Sequence, residues 1–254
     1  MASSSDPITV HGWTAVPRDT SILLGGKEYI HKPEPLLIKD MKFPSEDPLV
    51  TRIQEYAREK LPPQTYNHSM RVYYFATAIL HQQFPSHATT LSPSTLALAT
   101  LLHDIGTTPS NLRTTRLSFE FHGGLLAHSL LLQRATSSSP APAVAQAESV
   151  AEAIWRHQDL GMTGTITLLG QLLQLATLHD NVGGNPGLVH AATRADAHAA
   201  FPRHGWARCF AGVVRDEVGL KPWAHTTALG VDEFPAAVLG NGLMAEFDDE
   251  VGGE

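Results

Sequence analysis

The chain has 254 residues, 43% of them hydrophobic and 17% charged, with a formal net charge of −7. That length and balance suit an ordinary globular protein able to bury its own core, and the acidic charge, with no Lys/Arg cluster, excludes a nucleic-acid footprint. The single cysteine, Cys209, excludes a disulfide framework and any zinc site built on several cysteines. It fits a reducing compartment, taken here as the cytoplasm; no 18-residue apolar run or signal-peptide pattern points to a membrane or to export.

Residues 1–47 hold Pro17, Pro33, Pro35, Pro44 and the pair Gly25-Gly26 with no sustained period, which predicts an extended arm packing on the body. Asp47-Pro48 then reads as a cap and a first-turn proline, and Leu49, Ile53, Tyr56 and Ala57 fall at helical spacing up to Lys60. Pro62-Pro63 stop that helix. A second helix is expected from about Thr65 to Phe84, and Ser92-Pro93 opens a third that ends near Asp104. Another runs from about Ser118 to Arg134, followed by a surface loop over the SSSPAPA stretch, 137–143. The next covers Ala145 to Gln158. Thr163 or Thr165 caps a helix so apolar on every side, down to His179, that it must be central. The last clear helix is Trp206 to Val218. The fold class is all-α: an arm (1–47), a helical body (48–225) and a C-terminal tail (226–254).

Fourteen histidines, nearly as many as the 18 Lys and Arg, tilt such a chain toward metal or acid–base chemistry. Four helix-borne segments put ligand-type residues where burial is expected: YNHSMR with His68, LLHDIG with His103 and Asp104, WRHQD with His157, and LHDN with Asp180. Adjacent His103 and Asp104 point about 100° apart on a helix, so both reach one ion only at a helix end, which Gly106 supplies. Histidine nitrogens beside carboxylate oxygens suit zinc, iron or manganese better than calcium or magnesium. Three protein ligands leave room for water at a catalytic zinc; more ligands point to six-coordination or a second metal.

The ordered set H…HD…D resembles the HD-domain superfamily, helical metal-dependent proteins named for the His-Asp pair. That resemblance implies an HD-domain helical bundle with His68, His103, Asp104 and Asp180 as the metal ligands. His122 and His157 fall where dinuclear members carry extra histidines. Within the superfamily the chain is similar to the fungal cyanamide hydratases over nearly its whole length. The segments are GWTAVPRD, QTYNHSMRVYYFATA, LSPSTLALATLLHDIGTT, SFEFHGG, VAEAIWRHQDLG, GTITLLGQLLQLATLHDNVG, FPRHGWARCFA and KPWAHTT. It implies hydration of cyanamide to urea by a zinc-bound hydroxide, one zinc ion per chain, in a homo-oligomer that detoxifies a small neutral nitrile.

The residues agree with that chemistry. Many phosphohydrolases of this superfamily carry a lysine just after the His-Asp pair; here Thr107 and Thr108 follow, and no cation appears before Arg113. His157 is the candidate proton shuttle, because an imidazole gives and takes a proton near neutral pH. Asn67, Thr107, Thr108, His122 and Asn181 are expected around the pocket, and Trp206, Phe210 and Trp223 either close it or pack in the core. His179, next to Asp180, is expected to turn away. Three enzyme alternatives share the scaffold: hydration of another small nitrile or isocyanide, a dinuclear phosphohydrolase, and an iron oxygenase.

Overall fold

The fold is given by a computed structural model, which describes residues 6–134 and 140–248. Among these there are thirteen α-helices, joined by short 3-10 turns, and a sheet of only two strands. No helix among the described residues is long and apolar enough to cross a membrane.

The arm begins with α1 (Pro7–Val10), β1 (Ala15–Pro17) and α2 (Thr20–Leu23). Asp47 accepts from Leu49 N and so caps α3 (Pro48–Lys60), as its sequence announces. α4 (Pro63–Gln83) follows and is buried along nearly its whole surface, from Thr65 to Leu80. After the short α5 (Pro85–Ala88), Ser92 caps α6 (Pro93–Leu102). α6 ends before the His-Asp pair, which sits in a turn leading into a short 3-10 turn, Ile105–Thr107, and α7 (Pro109–Thr114). Gly106 is required there: a Cβ at this position would land on the Phe119 carbonyl oxygen, so α8 (Phe119–Arg134) could not come so close to the pair.

α9 (Pro140–Arg156) packs along α8. Of the loop expected over 137–143, residues 137–139 lie outside the described residues, and 140–143 open α9 instead. β2 (Thr165–Thr167) pairs antiparallel with β1, Ala15 opposite Thr167, an element too short to leave a sequence signature. Thr167 then caps α10 (Leu168–Val182), which crosses α4 at the centre of the main core and ends on Gly183 in the left-handed conformation. α11 (Ala191–Ala200), α12 (Trp206–Leu220) and α13 (Glu233–Leu239) complete the chain.

Both ends make contacts with the body. In the arm, Trp13 Nε1 donates to the Ala145 carbonyl, and Arg18 pairs with Asp159 at 2.8 Å. Beyond residue 225, Phe234 and Val238 are buried with Trp206, Phe210 and Val214 in a second apolar cluster that Leu229 also joins.

Candidate metal centre

His68, on α4, and His103 and Asp104, in the turn after α6, are fully buried and offer one ligand atom each within 4.8 Å of the others. The hydrogen bonds around them decide which nitrogens are free. His103 Nδ1 donates to the Thr100 carbonyl at 2.8 Å, and His68 Nδ1 donates to Asp180 Oδ2 at 2.6 Å. Both Nε2 atoms therefore point inward, only 3.2 Å apart. Asp104 Oδ2 lies 3.3 Å from His103 Nε2 and 3.7 Å from His68 Nε2 and has no hydrogen-bond partner among the described residues.

Three electron pairs thus converge on one buried point. Burial pushes the His68 pKa down to about 4, so its ring is neutral. Burial works against charge on His103 as well, yet the Asp104 carboxylate beside it holds its pKa above the usual value. Burial also opposes charge on Asp104, but His103 pulls its pKa down to about 2. The cluster asks for positive charge. A proton on His103 Nε2 serves either Asp104 or His68 Nε2 and leaves the other without a partner; a divalent cation answers for all three donors, and the two-imidazole, one-carboxylate set suits zinc. The residues fit a metal.

Asp180, expected as the fourth ligand, is not in this group. Its oxygens accept from Arg71 Nη2 at 2.8 Å, Arg203 Nη1 at 2.9 Å and His68 Nδ1. The two buried guanidiniums hold its pKa well below the carboxylate range, against the burial that would raise it. Asp180 braces His68 from behind and fixes its tautomer. Arg71 reaches it because three residues on a helix place it on the face of His68. Trp206 stacks on the His68 ring at 4.3 Å and donates to Asn181 Oδ1 at 2.8 Å.

A narrow cavity opens onto His103 and Asp104. His157 and Asn181 line it. His157 Nδ1 donates to the Ile154 carbonyl at 2.6 Å, which leaves Nε2 as the free nitrogen, and its ring stands edge-on to His103 at 5.4 Å. Burial, reinforced by His103, lowers its pKa. Phe210, Phe234 and Leu229 make up much of the rest, and no lysine or arginine is in the wall among the described residues.

The other pocket expectations are corrected. Thr107 Oγ1 donates to the Asp104 carbonyl, and Thr108 Oγ1 accepts from Asn111 N at the start of α7; both hydroxyls satisfy a helix end instead of facing the cavity. Asn67 donates to the Pro202 carbonyl and ties α4 to the loop before α12. His122 is half-buried on α8 and belongs neither to the ligand group nor to the cavity wall. Trp223 is 59% exposed and stands with Arg113 and Arg116 at a separate surface cleft. His179 does turn away, its Nδ1 against the Gly184 carbonyl. The sequence reading missed Gln158, Thr177, Leu229 and Phe234 in the wall and the two arginines behind it. Thr177 had a usable signal: it lies four residues before Asn181, on the same helix face.

The family profile described as "HD domain" matches residues 65–181, a span that begins just before His68 and ends just after Asp180. Two proteins of Saccharomyces cerevisiae, Cyanamide hydratase DDI2 and Cyanamide hydratase DDI3, are each 39% identical to the chain over 231 residues, or 91% of it and 96% of the relative.

Proposed function

The chain belongs to the cyanamide hydratases of the HD-domain superfamily, and from that premise we propose that it hydrates cyanamide to urea at one zinc ion held by His68, His103 and Asp104. A single observation carries the reading. Three ligand-type atoms converge within 4.8 Å, and the cavity that opens onto two of their residues, His103 and Asp104, has no cation in its wall among the described residues. A phosphate ester would need positive charge there. Cyanamide, an amino group bonded to a nitrile carbon, is small, linear and neutral.

A zinc ion, when bound, supplies the Lewis acid that lowers the pKa of a coordinated water from about 15.7 to roughly 7. The chain's own residues do the rest. His68 and His103 are held as inward-facing donors by Asp180 and the Thr100 carbonyl, so no reorganisation precedes binding. His157 is kept neutral by burial, with Nε2 free to pass a proton from the attacking water toward the nitrile nitrogen. Phe210, Phe234 and Leu229 exclude bulk water, which strengthens each of these polar interactions.

The test is urea release from cyanamide by purified protein. The expected result is turnover with one zinc per chain, lost on His103→Ala. Zinc bound in full with no urea formed would overturn the assignment of substrate, and two metals per chain the mononuclear site. A cytoplasmic location, supported by one free cysteine, and a detoxifying role belong to the same proposal. So does a homo-oligomer, supported by Phe121, Leu125 and Leu132, exposed at helical spacing on α8 and open to a light-scattering measurement of mass.

A further inference from the structure

The polar groups in the cavity wall can be assigned one by one. The Thr177 hydroxyl donates to the Leu173 carbonyl at 2.9 Å, and Asn181 Oδ1 is taken by Trp206. His157 spends Nδ1 on Ile154. Asp104 Oδ2 belongs to the metal group and the free His157 Nε2 to proton transfer, which leaves the Gln158 side chain, only 6% exposed, whose carbonyl Oε1 has no hydrogen-bond partner among the described residues. A buried carbonyl is rarely left without a donor unless something else supplies one.

Gln158 is not needed to hold its own loop. Gln174 Nε2 donates to the carbonyls of Arg156 and Asp159 on either side of it, at 2.6 and 3.1 Å. Asp159 is also pinned by Arg18 and Arg156. The loop has its shape without the Gln158 amide, and the amide sits in the wall immediately after His157.

Resting on the hydration of cyanamide proposed above, we propose that Gln158 recognises the amino group of the substrate through its orphaned carbonyl in the cavity wall. Of the two ends of cyanamide, only the amino end carries hydrogen-bond donors, and Gln158 Oε1 is the unpartnered acceptor that neither the metal group nor proton transfer takes up. The pairing turns the nitrile carbon toward the metal ligands. It also makes the site selective: a nitrile with an N–H on the carbon-bound atom is accepted, and one of equal size without it leaves a buried acceptor unpaired. A site built around such a bond rejects the analogue lacking it far better than an apolar pocket rejects a missing methylene.

Acetonitrile, which replaces the amino group by methyl at nearly constant volume, is the probe. Its dissociation constant on the zinc-loaded protein, read by ligand-detected NMR, is expected to be about tenfold or more weaker than that of cyanamide read by competition. Gln158→Leu and Gln158→Met are expected to keep full zinc by atomic absorption. They should lower kcat/KM for cyanamide about tenfold or more, chiefly through KM, and leave acetonitrile binding unchanged or tighter. Equal affinity of the wild-type protein for the two nitriles would overturn the inference without any variant. So would cyanamide kinetics within about threefold of wild type in either variant. Absence of urea formation by the wild-type protein would instead strike the hydration reading itself, so the two failures are distinct.

Discussion

Asp180→Asn and Asp104→Asn make the same change in two carboxylates near His68, and the structure assigns them opposite consequences. Among the described residues Asp180 is the only carboxylate within hydrogen-bond reach of the buried Arg71 and Arg203 guanidiniums together, both with no exposed side-chain surface. Removing its charge leaves Arg71 without a carboxylate partner and Arg203 with Asp248 alone, at 3.6 Å, and turns an amide N–H toward groups that are themselves donors. Breaking a buried pair in this way costs about 3–5 kcal/mol, which for a chain of this size lowers the melting temperature by roughly 6–20 °C. Asp104 touches no guanidinium, and its pKa falls only from 3.8 to about 2, so its loss from the metal-free protein costs no more than about 2 kcal/mol. The order reverses for metal. Asp104→Asn removes a ligand atom and should abolish stoichiometric zinc, whereas Asp180→Asn keeps all three donor atoms and should retain most of it. Urea denaturation of the chelated proteins gives the first comparison and zinc analysis of the reconstituted proteins the second. An Asp180→Asn protein within about 1 kcal/mol of wild type when metal-free, yet devoid of zinc, would refute the reasoning and make Asp180 a ligand.

His157→Ala should keep zinc at the wild-type level and lower kcat by about 10²–10⁴, as expected for a lost proton shuttle; loss of the metal would make His157 a ligand. Phe234→Ala, at the outer wall of the cavity and edge-on to Phe210, should cost about 3–5 kcal/mol in stability and raise the relative rate for methylcyanamide; an unchanged ratio of the two substrates would place the limit on size elsewhere. His179 gives a pH signature. Burial lowers its pKa from 6.5 to about 4, so below pH 6.5 the unfolded chain takes up a proton that the folded protein refuses. Stability from this group is complete above 6.5 and falls as the pH drops toward 4, by about 3 kcal/mol in all. In the metal-free protein, His179→Asn should flatten that part of the stability–pH curve.

What was legible in the sequence follows from where the physics is local. Asp47-Pro48 and Ser92-Pro93 start their helices as read, because cap and first-turn proline act within one turn. His68, His103 and Asp104 were legible as polar groups at buried helix positions. Asp180 was read as the fourth ligand because it matches the distant aspartate of the H…HD…D pattern. Successive helix residues diverge by about 100°, and it is Thr177 and Asn181 that face the cavity while Asp180 faces the arginines. Arg203 and Phe234 were illegible for a different reason: their partners are distant in the chain, and nothing local marks an arginine that will be buried or a phenylalanine that will close a wall. Thr107 and Thr108 misled because hydroxyls beside a ligand also serve to terminate a helix.

The pairing of β1 with β2 has a consequence for how the protein comes into being. Ala15 is made early and Thr167 late, and the helices that carry His68, His103 and Asp104 are all synthesised between them. The pairing of the two strands therefore waits for that stretch, although the arm also bonds to residues made earlier, through Gln83 and Ser92. The grip of Arg18 on Asp159 adds to the hold that Gln174 has on the same loop, so the wall that carries His157 and Gln158 is fixed by residues from both sides of the ligand-bearing stretch.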